Sequence, residues 1–158
     1  MLNIQKEEQY NRIVEKYSDM IFRIAYQYFY NKYDAEDVTQ DVFLKLLYKK
    51  AFFKDEEHIK SWLIRVTINQ CLDYKKSLAR REMVSIDNLE IPFTQEERGI
   101  IEELYLLKEE ERNILYLYYY EGYKIKEISH ILKQKQNTIN SKLTRARKKL
   151  KEIMEVEH

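Results

Sequence analysis

The segment Thr138-Ile-Asn-Ser-Lys-Leu-Thr-Arg-Ala-Arg-Lys-Lys-Leu150 carries Lys142, Arg145, Arg147, Lys148 and Lys149 and no acidic residue. Ile139, Leu143, Ala146 and Leu150 recur at helical spacing, so the pattern predicts a helix with one face packed inward and its cations fanned outward. Gln134, Gln136, Asn137, Thr138 and Asn140 crowd its start. These amides and a hydroxyl have the donors and acceptors that match base edges. Such a helix suits the major groove of DNA, with its start against bases and its later turns against phosphates.

Upstream, Lys124-Ile-Lys-Glu-Ile-Ser-His-Ile-Leu132 places Ile125, Ile128, Ile131 and Leu132 on one face, and a polar break from Lys133 to Gln136 follows. The pair reads as a helix-turn-helix whose second helix is the reader. A plain helical hairpin with a solvated basic face is the bland alternative. The confinement of the amides to the helix start and the single sign of charge favour DNA.

Composition narrows the field. With 158 residues, 44% hydrophobic content, 2 Gly and 1 Pro, the chain predicts long helices and either one domain or two small ones. A net charge of +1 means the basic character is segregated. The lone Cys71 gives no disulfide framework and no cysteine-based zinc site, which fits a reducing compartment. His58, His130 and His158 lack metal-ligand spacing, and no nucleophile arrangement or Gly-rich phosphate loop is visible, so no cofactor is expected and the chain reads as a non-enzyme. No apolar run suggests membrane insertion and no signal peptide is seen, so a cytoplasmic protein is expected.

From the start, a helix is expected over about Gln5 to Tyr30, with Ile13, Tyr17, Met20, Ile21, Ile24 and Tyr28 as its buried stripe. Asp34 is the expected N-cap of a second helix, Ala35 to Lys49, with Val38, Val42 and Leu46 inward and Asp37, Gln40 and Asp41 outward. Ordinary acid enrichment at a helix start explains Glu36 and Asp37, though Asp41 less well. After a loop with Phe52 and Phe53, a third helix runs from Ile59 to Leu78. Ile59, Trp62, Leu63, Val66, Cys71 and Tyr74 are its expected buried stripe. Its exposed Arg65, Asn69, Lys75 and Lys76, with Arg80 and Arg81 beyond, form a second, weaker basic surface. Residues 81–98 read as an acidic linker, roughly 50 Å when extended at about 3.3 Å per residue, which exceeds one DNA turn of about 34 Å. Beyond it, Ile100 to Leu107 opens a second module. Glu109 to Tyr120 sends Ile114, Leu115, Leu117 and Tyr118 inward, and Gly122 is the expected stop. The run Tyr118-Tyr119-Tyr120 reads as core plus exposed rim.

Taken in order, Tyr33-Asp-Ala-Glu-Asp-Val-Thr-Gln-Asp-Val-Phe43, Ser61-Trp-Leu-Ile-Arg-Val-Thr-Ile-Asn69 with Asp73, and Glu121-Gly122, Glu127-Ile128, Thr138, Ser141 and Arg145-Ala-Arg147 resemble the bacterial RNA polymerase sigma factors of the extracytoplasmic-function group. The resemblance implies an all-α chain. Residues 1–80 would be a sigma domain 2-like helical bundle, 81–98 the linker, and 99–158 a sigma domain 4-like helix-turn-helix. It implies a transcription initiation factor with core polymerase and promoter DNA as partners, an anti-sigma factor as a further partner, and a place on the nucleoid when in holoenzyme. Asp34, Glu36, Asp37, Gln40 and Asp41 become the implied contact for the clamp helices of the largest polymerase subunit. The flap of the second-largest subunit is implied as a second contact. Phe53, Lys54, Arg65, Asn69, Lys75, Lys76 and Arg80 become the implied −10 surface, with Phe53 walling a pocket for a flipped base and Asn69 bonding its edge. Gln136, Asn137, Thr138, Asn140, Ser141, Lys142, Arg145, Lys148 and Lys149 become the implied −35 surface.

The chain departs from the family pattern at four positions. Lys108 stands for a common proline, Lys133 for the common turn glycine, Asn137 for a glycine opening the reader helix, and Asn140 for a basic residue. Lysine accepts a left-handed backbone reluctantly, so a differently shaped turn is expected. Asn pairs with adenine where Arg pairs with guanine, so an adenine-shifted −35 preference is expected. Two rivals stand beside this reading. A stand-alone helix-turn-helix repressor would need a dimer and a palindrome. A protein-interaction adaptor would have no use for two basic surfaces.

Overall fold

The computed structural model describes residues 4–49, 53–78 and 104–156, and all regular structure among these is helical. The chain divides into two compact units, 1–89 and 90–158. The expected linker, Phe52, Arg80, Arg81 and the start of the Ile100 to Leu107 segment lie outside the described residues. Among the described residues, no helix is long and apolar enough to cross a membrane.

The first unit is a three-helix bundle of α1 (Ile4–Phe29), α2 (Lys32–Leu47) and α3 (Glu56–Leu78), each packed on the other two. The expected α1 stripe is buried, with Ile21 and Ile24 fully so. α1 stops because Tyr30 turns left-handed (φ 49), its N–H still bonded to the Tyr26 carbonyl. α2 starts earlier than expected. Asn31, not Asp34, is its N-cap, its Oδ1 accepting from the Tyr33 and Asp34 N–H groups at 2.9 and 3.1 Å. Val38, Val42 and Leu46 are buried, as their spacing predicted. α3 starts one turn earlier than expected because Asp55 Oδ1 accepts from the His58 N–H. Its buried row is Ile59, Leu63, Ile64, Thr67, Ile68 and Cys71, while Trp62, Val66 and Tyr74 are only half-buried. Thr67 satisfies its hydroxyl on the Leu63 carbonyl at 2.6 Å, so it sits in the core without an unpaired donor.

Glu56 ties α1 to α3. It accepts from Arg12 at 2.6 Å, Tyr17 Oη at 2.7 Å and Lys16 at 3.3 Å. The hydrogen bonds from Tyr17 and Arg12 hold its carboxyl down at about 2, below the ordinary 4.5. Burial and the bond to Glu56 raise the Tyr17 phenol in turn.

The second unit contains α4 (Glu109–Leu115), a π-helical continuation (Tyr116–Tyr120), α5 (Ile125–Leu132) and α6 (Gln136–Val156). Ile114, Leu117, Ile128, Ile139, Leu143 and Ala146 are fully buried and make its core. The wider turn shows in the Glu121 N–H reaching the Tyr116 carbonyl, five residues back, at 3.1 Å. Gly122 (φ 74) then reverses the chain, and the Tyr123 N–H returns to the Leu117 carbonyl at 3.0 Å. Arg112 is buried. It donates to the Leu107 carbonyl at 2.7 Å and lies 4.1 Å from the centre of the Tyr105 ring, pinning the approach to α4. Lys108 takes φ −66 and ψ 149, the backbone that proline would impose, which explains how the helix opens normally without one.

The turn of the helix-turn-helix is not reshaped by losing its glycine. Lys133 itself adopts the left-handed conformation (φ 54, ψ 44). Asn137 lies inside the first turn of α6 and has no use for left-handed backbone. A non-glycine residue in this region costs about 1–2 kcal/mol, partly offset in glycine by about 0.5–1 kcal/mol of chain entropy. Lys133→Gly is therefore expected to stabilise the second unit by roughly 1 kcal/mol, read as a higher Tm. An unchanged or lower Tm would contradict this.

Glu56 also sets a pH dependence. Because its folded carboxyl titrates below its ordinary value, its contribution is complete above about pH 4.5 and lost as pH falls toward about 2. The side chain is 48% exposed, so the contribution is small and screened by salt. Glu56→Gln is expected to flatten the stability-versus-pH curve between about pH 4.5 and 2 and to leave a lower plateau at neutral pH. A curve with unchanged slope in that window would count against the tie.

Candidate nucleic-acid interface

Ile139, Leu143 and Ala146 are fully buried, which fixes the rotation of α6 and sends Asn137, Asn140, Ser141, Thr144, Arg145 and Lys148 outward as one exposed line. Gln136 is also exposed, and Thr138 is half-buried. Thr144 Oγ1 donates to the Asn140 carbonyl at 2.8 Å, which leaves the Asn140 amide outside that bond.

The other cations between Thr138 and Leu150 have partners within the unit. Lys142 Nζ reaches Glu110 at 2.5 Å and Gln134 Oε1 at 2.9 Å, and Lys149 Nζ reaches Glu111 at 2.9 Å. Arg147 donates from Nε to Tyr119 Oη at 2.5 Å, with its guanidinium 5.0 and 5.4 Å from the Tyr118 and Tyr119 ring centres. The bond to Tyr119 raises its already high pKa. The tyrosine run therefore serves as a clamp on a cation of α6 as well as a rim. Gln134, grouped by sequence with the base readers, is committed to the fold. Its Nε2 donates to Glu110 at 2.7 Å, its N–H bonds the Ser129 carbonyl at 3.0 Å, and its own carbonyl accepts from Ser129 Oγ.

In the first unit, Phe53 meets Trp62 edge-on at 5.4 Å and His58 at 5.4 Å, and Lys49 Nζ lies 5.0 Å from the Phe53 ring centre and 5.2 Å from that of Trp62. The Lys54 N–H donates to His58 Nδ1 at 3.0 Å, so the loop is held on the imidazole. His58, Trp62, Arg65, Asn69 and Lys76 follow at three-, four- and seven-residue steps along α3, with Asn69 and Lys76 exposed and Arg65 and Lys75 half-buried. Phe53 touches Trp62, seven residues before Asn69 and so about 10.5 Å of helix rise away. The aromatic wall and the amide thus bracket one stretch of α3. Trp62, expected from sequence in the buried stripe, is half-buried and meets Phe53 here.

The acidic row of α2 is partly folded onto α3. Tyr74 Oη donates to Asp34 at 3.0 Å or Asp37 at 3.1 Å, and Gln70 Nε2 donates to Asp41 at 3.2 Å. Burial, followed by the two carboxylates, raises the Tyr74 phenol. Glu36 pairs loosely with Lys32 at 3.9 Å, and Gln40 is exposed. Beside them, Tyr33, Leu44 and Tyr48 are 52%, 50% and 76% exposed. Together with Asp37 and Gln40 they form an apolar-and-acid stripe on the outer side of α2. The signal for it was present in the sequence, as apolar residues off the Val38, Val42, Leu46 row.

A groove of about 640 Å³ opens in the second unit between α4, the π-helical turn and the end of α6, lined by Leu115, Tyr119, Leu150 and Met154 with Arg147, Lys151 and Glu155 at its edge. Its lining is apolar and its rim mostly cationic.

Comparison with known proteins gives two family matches. Residues 13–81 match sigma-70 region 2, and residues 99–150 match sigma-70 region 4, so the matches together cover most of the chain. Among individual relatives, the RNA polymerase sigma factor SigV of Bacillus subtilis is 26% identical over 80% of each chain. The ECF RNA polymerase sigma factor SigM of the same organism is 28% identical over 90% of this chain and 93% of its own. In fold, the chain is similar to the sigma factor RpoE of Bartonella quintana, solved with the anti-sigma factor NepR (TM-score 0.75, 20% identity, 96% of this chain and 99% of that one). It is also similar to CnrH, solved with the cytosolic domain of CnrY (TM-score 0.72, 19% identity, 96% and 91%).

Arg147→Ala is expected to lower the stability of the second unit by about 0.5–1 kcal/mol, the range for an exposed cation–π contact. The salt dependence of DNA binding should stay unchanged. A flatter salt dependence with unchanged stability would make Arg147 a phosphate contact instead.

Proposed function

We propose a division of labour between the two units from the premise that the chain belongs to the sigma-70 family of RNA polymerase sigma factors, in its extracytoplasmic-function group. It is a transcription initiation factor that binds core RNA polymerase and directs it to promoters. In our reading, residues 1–80 bind polymerase and the −10 element, 81–98 link, and 99–158 bind the −35 element. The chain performs no bond chemistry itself. It acts in the cytoplasm, on the nucleoid when assembled with polymerase, and an anti-sigma protein holds it in reserve.

The observation that carries this reading is the outward line Asn137, Asn140, Ser141, Arg145 and Lys148 on a helix whose rotation is fixed by its buried face. Amides and a hydroxyl stand toward the helix start and cations farther along, the order that bases and then phosphates require. Lys142 and Lys149, expected from sequence as further DNA contacts, enter this surface only if they leave Glu110 and Glu111. In the first unit, Phe53, Trp62 and Asn69 are the residues we assign to an unstacked base, and Lys54, Arg65, Lys75 and Lys76 to the backbone around it. Arg80 remains assigned on sequence alone. Extruding a base costs a few kcal/mol, which an aromatic wall and an amide offset.

For polymerase, the stripe of Tyr33, Asp37, Gln40, Leu44 and Tyr48 supports contact with the clamp helices, with apolar anchors amid acid and amide groups. Asp34, Glu36 and Asp41 stand beside it. The groove lined by Leu115, Tyr119, Leu150 and Met154 is our assignment for the flap of the second-largest subunit.

The test is a binding selection on random duplexes, run with the chain alone and with reconstituted holoenzyme. Holoenzyme is expected to select an asymmetric two-element site with an adenine-rich −35 part. A palindrome selected by the chain alone would favour a repressor, and a GC-rich −35 consensus would remove the adenine preference. Asn140→Ala is expected to cost about 1–3 kcal/mol on sequences whose adenine it reads. Equal losses on every sequence would refute that role.

A further inference from the structure

The acids at the start of α4 hold side chains on α6 and on the turn before it. Glu110 Oε1 accepts from Lys142 Nζ at 2.5 Å and from Gln134 Nε2 at 2.7 Å, while Lys142 also donates to Gln134 Oε1 at 2.9 Å. The three side chains close a ring. The Lys142 side chain is 21% exposed, too withdrawn to serve as a freely solvated cation. About two turns farther along α6, at Lys149, Glu111 repeats the arrangement. Its side chain is 9% exposed, it accepts from Lys149 at 2.9 Å, and it takes the Lys108 N–H at 3.3 Å. Both carboxylates lie in the first turn of α4, where the positive end of the helix dipole favours them.

We propose that Glu110, with Glu111 behind it, sets the DNA selectivity of the second unit by holding lysines of the reader helix away from the phosphate backbone. The proposal rests on the initiation-factor reading above.

The physical argument concerns which part of the binding each group supplies. A lysine that meets a phosphate releases condensed counterions, and this sequence-independent term carries non-specific affinity. A lysine already neutralised by a carboxylate releases none unless the internal pair breaks, so its net contribution is small. Base-edge contacts are untouched by the pairing, because Asn137, Asn140 and Ser141 lie on the exposed line. The non-specific term falls while the specific term stays, and the ratio between them rises. The helix keeps five cations between Thr138 and Leu150 in its sequence. Among these, Arg145 and Lys148 stand on the exposed line. Lys142 and Lys149 are paired to acids and Arg147 to tyrosines.

The experiment measures binding of the full chain to a duplex carrying its selected −35 element and to a scrambled duplex, by fluorescence anisotropy between about 50 and 200 mM salt. Glu110→Gln is expected to bind the scrambled duplex more tightly, to lower the specific-to-scrambled ratio, and to steepen the slope of log affinity against log salt by about one. Over that salt range this is about three- to fourfold more affinity lost. Lys142→Ala alone should leave the wild-type slope unchanged, and adding it to Glu110→Gln should abolish the gain. A Lys142→Ala variant that flattens the wild-type slope would overturn the proposal, because Lys142 would then already serve phosphate. A Glu110→Gln gain that survives Lys142→Ala would also overturn it, as a general effect of charge, and so would no gain at all. Transcription with core polymerase separates the two levels. A start that depends on the wild-type chain, alongside failure of these variants, sinks the masking and leaves the initiation reading standing. Loss of the start itself sinks that reading.

Discussion

Burial of Ile139, Leu143 and Ala146 leaves α6 one rotation about its own axis, and the functional geometry of the second unit follows from that constraint. These side chains enter a core that also holds Ile114, Leu117, Ile128 and Ile131. With the apolar row inward, the residues at intermediate steps have fixed directions. Asn140 and Lys148 face outward, Lys142 and Lys149 face the acids of α4, and Arg147 faces the tyrosines of the π-helical turn. The wider turn gives Tyr118 and Tyr119 their hold on Arg147. The left-handed Lys133 and the bonds between Ser129 and Gln134 then set the angle at which α5 hands over to α6.

The first unit uses the same device on two faces at once. Val38, Val42 and Leu46 pull one side of α2 inward and leave Gln40, Leu44 and Tyr48 outside. Ile64, Ile68 and Cys71 pull α3 inward and leave Asn69 and Lys76 outside, with the Phe53 loop folded against Trp62. Tyr74 and Gln70 connect the two helices, since they reach from α3 to the acids of α2.

Much of this was legible in the sequence because periodicity alone decides it. The buried rows of α1, α2 and α6 stand at three- and four-residue steps, and the reversal at Gly122 follows from its lack of a side chain. What the sequence did not reveal depends on pairing between distant residues. Glu110 and Lys142 are far apart in the chain and meet only because α4 and α6 pack together, so a list of basic residues overcounts the cations without an internal carboxylate partner. Trp62 was read as core because an aromatic at helical spacing usually is; it sits at the boundary because the buried row of α3 lies to one side of it. Asp34 was read as a helix cap on its chemistry, but Asn31, three residues earlier, already caps the helix by accepting from the Tyr33 and Asp34 N–H groups, which leaves Asp34 inside the first turn. Lys133 shows the opposite case. Its chemistry argued against the left-handed turn, and the packing of the two helices holds it there.

The central claim is tested most directly by run-off transcription on fragments from the gene's own upstream region, comparing core bacterial RNA polymerase with and without this chain. The expected result is a discrete start that needs both components and disappears when either the −35 or the −10 sequence is scrambled. A discrete DNA complex formed by the chain alone, with no start when polymerase is present, would contradict the claim.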